Sequence, residues 1–336
     1  KMINAKNNEI LIGGSTSINL YVLSNALKKF INKGDEIIVT NQDHEANISP
    51  WRRLKESGAK IIEWKFNLDN HELEISQLEK LITSKTKILA VTHCSNIVGS
   101  INNLKEICKL AHKKNIIVIG DGVSYAPHGF PNVKELDVDF YTFSLYKTYG
   151  PHLALLYGKE EILKDLPNQN HEFLNGIYPY TINPGGPNHE ELVSLIGIYE
   201  YLENLYNHHY KNTEIPILRK IKKINNLISQ HEENIANPIL QYLSNRDDLD
   251  LIGKKIIANK DRAPTISFTS KFRKSEEISN ILLKNKIATR NDNFYAWRCL
   301  KYLGINTDDG VVRLSMTHYN TMGDTKKVIK ALENIS

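Results

Sequence analysis

Short apolar runs alternate with helical patterns through the first half of the chain. DEIIVT (35–40), KIIEWKF (60–66), KILAVTHC (87–94), NIIVIGDG (115–122), DFYTFSL (139–145) and HLALLYG (152–158) predict strands. Most are apolar on both faces, as parallel strands covered by helices on each side must be. Residues 17–31, 47–57, 74–82 and 102–114 carry the helical pattern between them. This alternation predicts an α/β, doubly wound, mostly parallel sheet. The last two strands are joined by too few residues for a crossover helix, so that pair is expected to be antiparallel. From 187 to 230 the pattern is helical, and a polar stretch follows at 244–262. PTISFTS (264–270), KIATR (286–290) and VVRLSM (311–316), with helices at 275–285 and 322–334, predict a smaller sheet. The expected division is a large α/β domain over 1–230 and a small C-terminal α+β domain over 231–336.

Composition narrows the class without naming a reaction. The chain has 336 residues, 41% hydrophobic and 24% charged, enough for one large core or two unequal domains. Its 43 basic and 38 acidic residues leave a net charge of +5. Basic clusters such as Lys109, Lys113 and Lys114, or Arg219, Lys220, Lys222 and Lys223, are interrupted by apolar positions and read as solvated helix faces rather than a nucleic-acid or phosphate surface. The three cysteines, Cys94, Cys108 and Cys299, form neither a CxxC pair nor a metal-ligand spacing, so a reducing cytoplasm is expected and no metal. No apolar run approaches the roughly 20 residues of a membrane span. The opening Lys-Met-Ile-Asn-Ala reads neither as a signal peptide nor as a natural start.

Three features point to chemistry. IIVIGDG ends an apolar strand in Asp121, at the strand end where open α/β sheets bind ligands. A buried carboxylate there is costly unless a cation meets it. Lys147, in SLYKTYGP, follows another strand of the same sheet. The two could form a simple ion pair, and Asp121 could be a turn or capping residue. They could also be the two ends of pyridoxal phosphate, which needs a lysine amine for its Schiff base and a carboxylate facing its ring nitrogen. The third feature is LIGGSTSINL (11–20), a Gly-Gly-Ser-Thr turn opening a helix. Its N–H groups and hydroxyls suit a phosphate, although a plain helix N-cap looks the same. Ser144 offers another hydroxyl.

Together these features match one cofactor, and the surrounding sequence resembles a known family. DGVSYAPHGFPNVKELDVDFYTFSLYKTYGPHLALLYGK (121–159) is similar to the lysine-bearing segment of fold-type I pyridoxal-phosphate enzymes of the class V aminotransferase group. The likeness is strongest to cysteine desulfurases, selenocysteine lyases and a cysteine desulfurase-like branch. DHEANISPW (43–51), THCSNIVGSINNLKEICKLAH (92–112), INPGGPNHEEL (182–192) and VVRLSMTHYNT (311–321) extend it over nearly the whole chain.

The resemblance implies a large, mixed, mostly parallel sheet domain, a small C-terminal domain and a homodimer with sites at the subunit interface. It implies that Lys147 carries the cofactor and shuttles the Cα proton, and that Asp121 holds the ring nitrogen protonated. His44 would stack on the ring and join the catalysis. Ser15, Thr16 and Ser144 would hold the phosphate, with Gly186 reaching the partner's phosphate through its N–H. Asn96 would contact cofactor and substrate, and Arg313, with Arg290, would grip the substrate carboxylate. Ser124 stands where the family has Gln or His against the cofactor's ring oxygen.

The sequence also departs from the family pattern. Desulfurases take sulfur on a mobile cysteine of the small domain; in RNDNFYAWRCL (290–300) that position holds Tyr295, and Cys299 falls four residues later. Tyr146 replaces a histidine beside the lysine, and Gly186 a threonine. Relatives carry an N-terminal arm before the phosphate turn, whereas 12 residues precede Gly13, so an absent arm or a reduced site is expected. The expectation is an enzyme acting on a small amino acid by β-elimination, of the C–S lyase type. An aminotransferase, an epimerase or a non-catalytic interaction protein on the same scaffold are the alternatives.

Overall fold

The computed structural model describes residues 1–211 and 214–335. Positions 212 and 213 of the expected helical stretch 187–230, and the last residue of the expected small domain, lie outside these described residues. The large sheet has seven strands: β1 (Ile10–Gly13), β2 (Glu36–Thr40), β3 (Lys60–Trp64), β4 (Thr86–Thr92), β5 (Ile117–Asp121), β6 (Phe140–Ser144) and β7 (Ala154–Gly158). Their spatial order is β1-β7-β6-β5-β4-β2-β3. Strands β2 to β6 are parallel where they pair, and β7 runs antiparallel to both β6 and β1. The short link between β6 and β7 therefore makes the expected antiparallel turn, and Lys147 sits in it.

Burial explains the arrangement. The central strands β4, β5 and β6 are almost wholly buried, and a separate apolar cluster covers each face of the sheet. Leu20, Leu23 and Leu27 of helix Thr16–Leu27 pack on one face, while Leu104, Ile107 and Ala111 of helix Leu104–His112 pack on the other. At about 25 cal/mol per Å² of apolar surface removed from water, such two-sided burial is what selects this topology.

The second sheet has four antiparallel strands, β8 (Leu249–Ile252), β9 (Thr265–Ser270), β10 (Arg290–Asp292) and β11 (Val311–Ser315), in the order β10-β11-β9-β8. Two elements differ from the sequence expectation. Strand β8 lies inside the stretch read as polar, because only Leu249 and Ile252 of its four residues are buried. Strand β10 begins where the expected strand 286–290 ended; Lys286, at φ +58°, instead belongs to the turn after helix Ser275–Lys284.

Helix Ile217–Ser244 continues well past 230 and carries Pro238 in its interior. Its Ile221, Ile224 and Ile228 join the core of the large sheet, and Ile235 to Leu243 join that of the small sheet. One helix thus ties the two cores together.

Candidate active site

Strand ends place the reactive groups. Asp121 is the last residue of β5, buried, with Oδ1 accepting from the Val123 N–H at 2.9 Å. Burial pushes its pKa up to about 6, opposed by the Val123 hydrogen bond and by the nearby Lys147 charge. Among the described residues Asp121 makes no ion pair. Asp43 is also buried; burial and then the nearby Asp121 charge raise its pKa, while Thr40 Oγ1 at 3.0 Å and Asn47 Nδ2 at 3.3 Å donate to it and oppose the rise.

Lys147 ends the turn Leu145–Lys147 after β6. The Thr148 and Gly150 N–H groups both donate to the Leu145 carbonyl at 2.9 Å, closing that turn. Tyr149 then adopts φ +70°, a left-handed conformation that a non-glycine residue keeps only when its surroundings hold it. Its hydroxyl donates to Pro127 O at 2.7 Å and faces His318 Nδ1 at 3.1 Å. The Lys147 side chain is exposed to the open cavity, whose walls stand around its amine. Burial lowers its pKa, the Arg313 charge lowers it further, and Asp121 raises it.

The Gly-Gly-Ser-Thr turn leads from β1 into helix Thr16–Leu27. Gly13 ends β1, where a Cβ would meet Asn19 Oδ1 at 1.9 Å, and Asn19 Nδ2 in turn donates to Ala154 O on β7 at 3.3 Å. Ser15 caps helix Thr16–Leu27, its hydroxyl accepting from the Ile18 N–H at 3.2 Å. Thr16 Oγ1 and Ser144 Oγ lie 2.9 Å apart. The cap and the hydroxyl pair coexist, so the plain-cap reading and the cradle reading describe one turn.

His44 caps a short turn, its Nδ1 accepting from the Ala46 N–H at 3.0 Å, which leaves the proton on Nε2. Burial, then the Lys147 and Arg313 charges, lower its pKa to about 4, so the ring is neutral and flat at pH 7. The Tyr295 ring stacks on it at 5.3 Å.

Ser15, Thr16, His44, Asn96, Asp121, Ser124, Ser144 and Lys147 all line one cavity of about 520 Å³. Gly186, Arg290 and Arg313 are not in its lining. The Arg290 side chain is 77% exposed beside Asp292, and Gly186 stands in open space. Arg313 lies one layer back, donating to Asn96 O at 3.1 Å with its guanidinium 3.7 Å over the Phe294 ring. Burial, then Arg290, lower its pKa only to about 10, so it stays cationic at neutral pH.

The cavity also takes in residues the sequence reading did not single out. Glu45 follows His44 directly, and His152 stacks on Tyr146 at 4.7 Å. His152 was within sight, in the Gly-Pro-His turn after Lys147. Glu45 carried no signal, because its partner Arg298 is distant in sequence.

Strand-end lysine and aspartate, a helix-capped hydroxyl turn and a neutral histidine in one cavity define a fold-type I cofactor site. The class V aminotransferase model matches residues 1–328, and the chain belongs to that family of pyridoxal-phosphate enzymes. An aminotransferase-like protein of Gibberella zeae is 36% identical across 100% of this chain and 80% of its own length. A probable cysteine desulfurase of Halalkalibacterium halodurans is 30% identical, over 99% of this chain and 79% of its own. The apo structure of a cysteine desulfurase from Thermococcus onnurineus superimposes with a TM-score of 0.82 at 26% identity, covering 99% of this chain and 80% of that one.

The residues present fit pyridoxal phosphate. Asp121 is a buried acid lacking a cation, which a protonated ring nitrogen supplies. Asn96 Oδ1 is a buried acceptor with no partner, although Asn96 Nδ2 is spent on Phe294 O at 2.9 Å.

Proposed function

We propose that the chain is a pyridoxal-phosphate lyase that acts on a small amino acid by β-elimination and makes no persulfide. One observation carries the reading: the segment facing the cofactor site from the small domain has no thiol and is pinned in place. Tyr295 occupies the loop position. Its carbonyl accepts from the Glu45 N–H at 2.7 Å, its N–H donates to Asn293 Oδ1 at 3.0 Å, and Arg298 pairs with Glu45 at 3.1 Å. All three cysteines are buried, and burial raises each thiol, Cys94 to about 12. A sulfur acceptor needs the reverse, a low-pKa thiol that can move.

When bound, the cofactor withdraws electrons from the substrate Cα. Lys147 would be the residue that holds it, and its amine, with a pKa lowered by the cavity walls and by Arg313, would take the Cα proton. Asp121 supplies the charge that keeps the ring nitrogen protonated, and neutral His44 provides a flat stacking face. Thr16, Ser144 and the capped turn at Ser15 would hold the phosphate, and Ser124, in the same cavity lining, would contact the cofactor. Asn96 meets the substrate, with Arg313 behind it and Arg290 beyond setting the positive field for the carboxylate. The large-sheet part would hold the cofactor and the small-sheet part would close over the substrate, with helix Ile217–Ser244, which runs through 230, joining them.

A homodimer completes this reading. Phe173, Val193 and Ile196 are 76%, 73% and 61% exposed on either side of Gly186 in the chain, apolar side chains that a second subunit would cover. Gly186 would then serve the neighbour's phosphate. Sedimentation showing a monomer that still binds cofactor tightly contradicts it. Among the described residues no helix is long and apolar enough to cross a membrane, and the unbridged thiols suit a cytoplasmic setting.

Product analysis with cysteine or cystine tests the reaction, in the wild type and in a variant with all three cysteines changed to serine. β-Elimination from cysteine takes up water and releases pyruvate, ammonia and sulfide. Pyruvate from both proteins supports the reading. Alanine as the main product, lost when a thiol is removed, overturns it, and no turnover in either shifts the reading to transamination or epimerisation.

A further inference from the structure

A second cavity of about 510 Å³ shares no lining residue with the first. The two are separated by one segment: Asp121, Val123 and Ser124 face the cofactor site, whereas Tyr125, His128 and Gly129 face the second cavity. Its other walls are helix Ile217–Ser244, which contributes residues at helical spacing from 218 to 233, and the stretch from Ile257 to Ala263.

Its rim is cationic and unpaired. Lys105, Arg219, Lys222 and Lys260 all line it, and among the described residues none of them forms an ion pair. Asn259 and Lys260 adopt φ +53° and +60°, consecutive left-handed conformations that aim Lys260 at the helix, where its Nζ reaches Asn226 Oδ1 at 2.5 Å. Burial and the facing Lys222 charge both lower the Lys260 pKa, the mark of cations gathered without a counter-ion. Deeper in, Arg262 is buried; its terminal nitrogens donate to the Ile252, Lys254 and Thr265 carbonyls, but its Nε has no partner. Of the acids in the lining, buried Glu232 is engaged by His128 Nδ1 at 2.9 Å and Glu135 accepts from Asn132 Nδ2 at 3.4 Å. Glu233 also lines the cavity, so the basic groups there, Lys105, Arg219, Lys222 and Lys260, outnumber the one acid that has no partner among the described residues.

We propose that this cavity is a binding site for a small anionic metabolite, bearing a phosphate or carboxylate group, held by Lys222, Lys260 and Arg219. The site stands apart from the cofactor cradle and does not depend on which reaction the enzyme performs.

Thermal unfolding of the holoenzyme, with its cradle filled by excess cofactor, tests this. Inorganic phosphate and succinate are titrated separately at constant ionic strength, with chloride as control. The expected result is a saturable rise in the midpoint with at least one of them, absent with chloride. Phosphate alone identifies a phosphate ester as the ligand class, succinate alone a carboxylate, and both together a site open to either. In the Lys222→Gln/Lys260→Gln variant the apparent Kd should weaken by about tenfold or more. Both lysines are exposed, and the visible band of bound cofactor reports that the variant is folded. No saturable rise with either anion, or the same rise in the variant, overturns the proposal.

Discussion

The two sides of the cofactor cavity are made differently. On the large-sheet side, Asp121 and Ser144 end buried strands, and Lys147 follows in a turn closed by its own backbone. On the other side, the loop through Phe294 and Tyr295 has left-handed φ values of +51° and +57° and is shaped by contacts with residues far away in the chain. Asn96 holds its Phe294 carbonyl, Arg313 covers the Phe294 ring, and Glu45 grips it through Arg298. Under the proposed function, the first side holds the cofactor and the second acts on the substrate.

Substitutions on the two sides should therefore separate by size and kind. Lys147→Ala should lower turnover by about 10³–10⁴-fold and remove the visible band, read by steady-state kinetics and absorbance. Asp121→Asn should keep cofactor binding measurable but slow exchange of the substrate Cα proton by about 10²–10³-fold, followed by NMR in deuterated water. Equal exchange in the variant would make Asp121 structural only. Arg298→Ala should release the loop while leaving the cofactor spectrum intact. The expected cost is a rise in KM of about two- to fivefold, the equivalent of about 0.5–1 kcal/mol for a partly exposed ion pair.

The smallest effect concerns pH. His93 is buried, stacked on Tyr125 at 3.6 Å and bonded to the Tyr141 hydroxyl at 2.7 Å. Burial lowers its pKa to about 3 from the ordinary 6.5. Between those values the unfolded chain binds a proton that the folded one does not, so His93 withdraws stability as pH falls below 6.5. Asp121, raised to about 6, acts in the opposite sense over part of that range. His93→Gln should lower stability at pH 7 but reduce its decline between pH 6.5 and 4.5, measured by urea unfolding midpoints. An unchanged pH slope would contradict the assignment.

Strand ends were the most legible part of the molecule. Apolar runs ending in Asp121 and Ser144 show in sequence because two-sided burial demands uninterrupted apolar residues. Strand β1 did not show, since four residues ending in glycine look like the turn they lead into. The packing role of Tyr149, the Glu45–Arg298 pair and the retreat of Arg313 behind Asn96 join residues far apart in the chain, and no local pattern encodes them. The second cavity was hidden for the same reason: Lys222 read as a charge on a solvated helix face, and Lys260 lay unremarked in the polar stretch 244–262, until folding brought them together.

Borohydride reduction of the holoenzyme, followed by proteolysis and mass spectrometry, tests the central assignment most directly. Reduction makes the bond between cofactor and lysine permanent, so the modified residue can be read from the peptide. The account predicts the label on Lys147 alone, with none in Lys147→Ala. A label on any other lysine of the wild-type protein would contradict it.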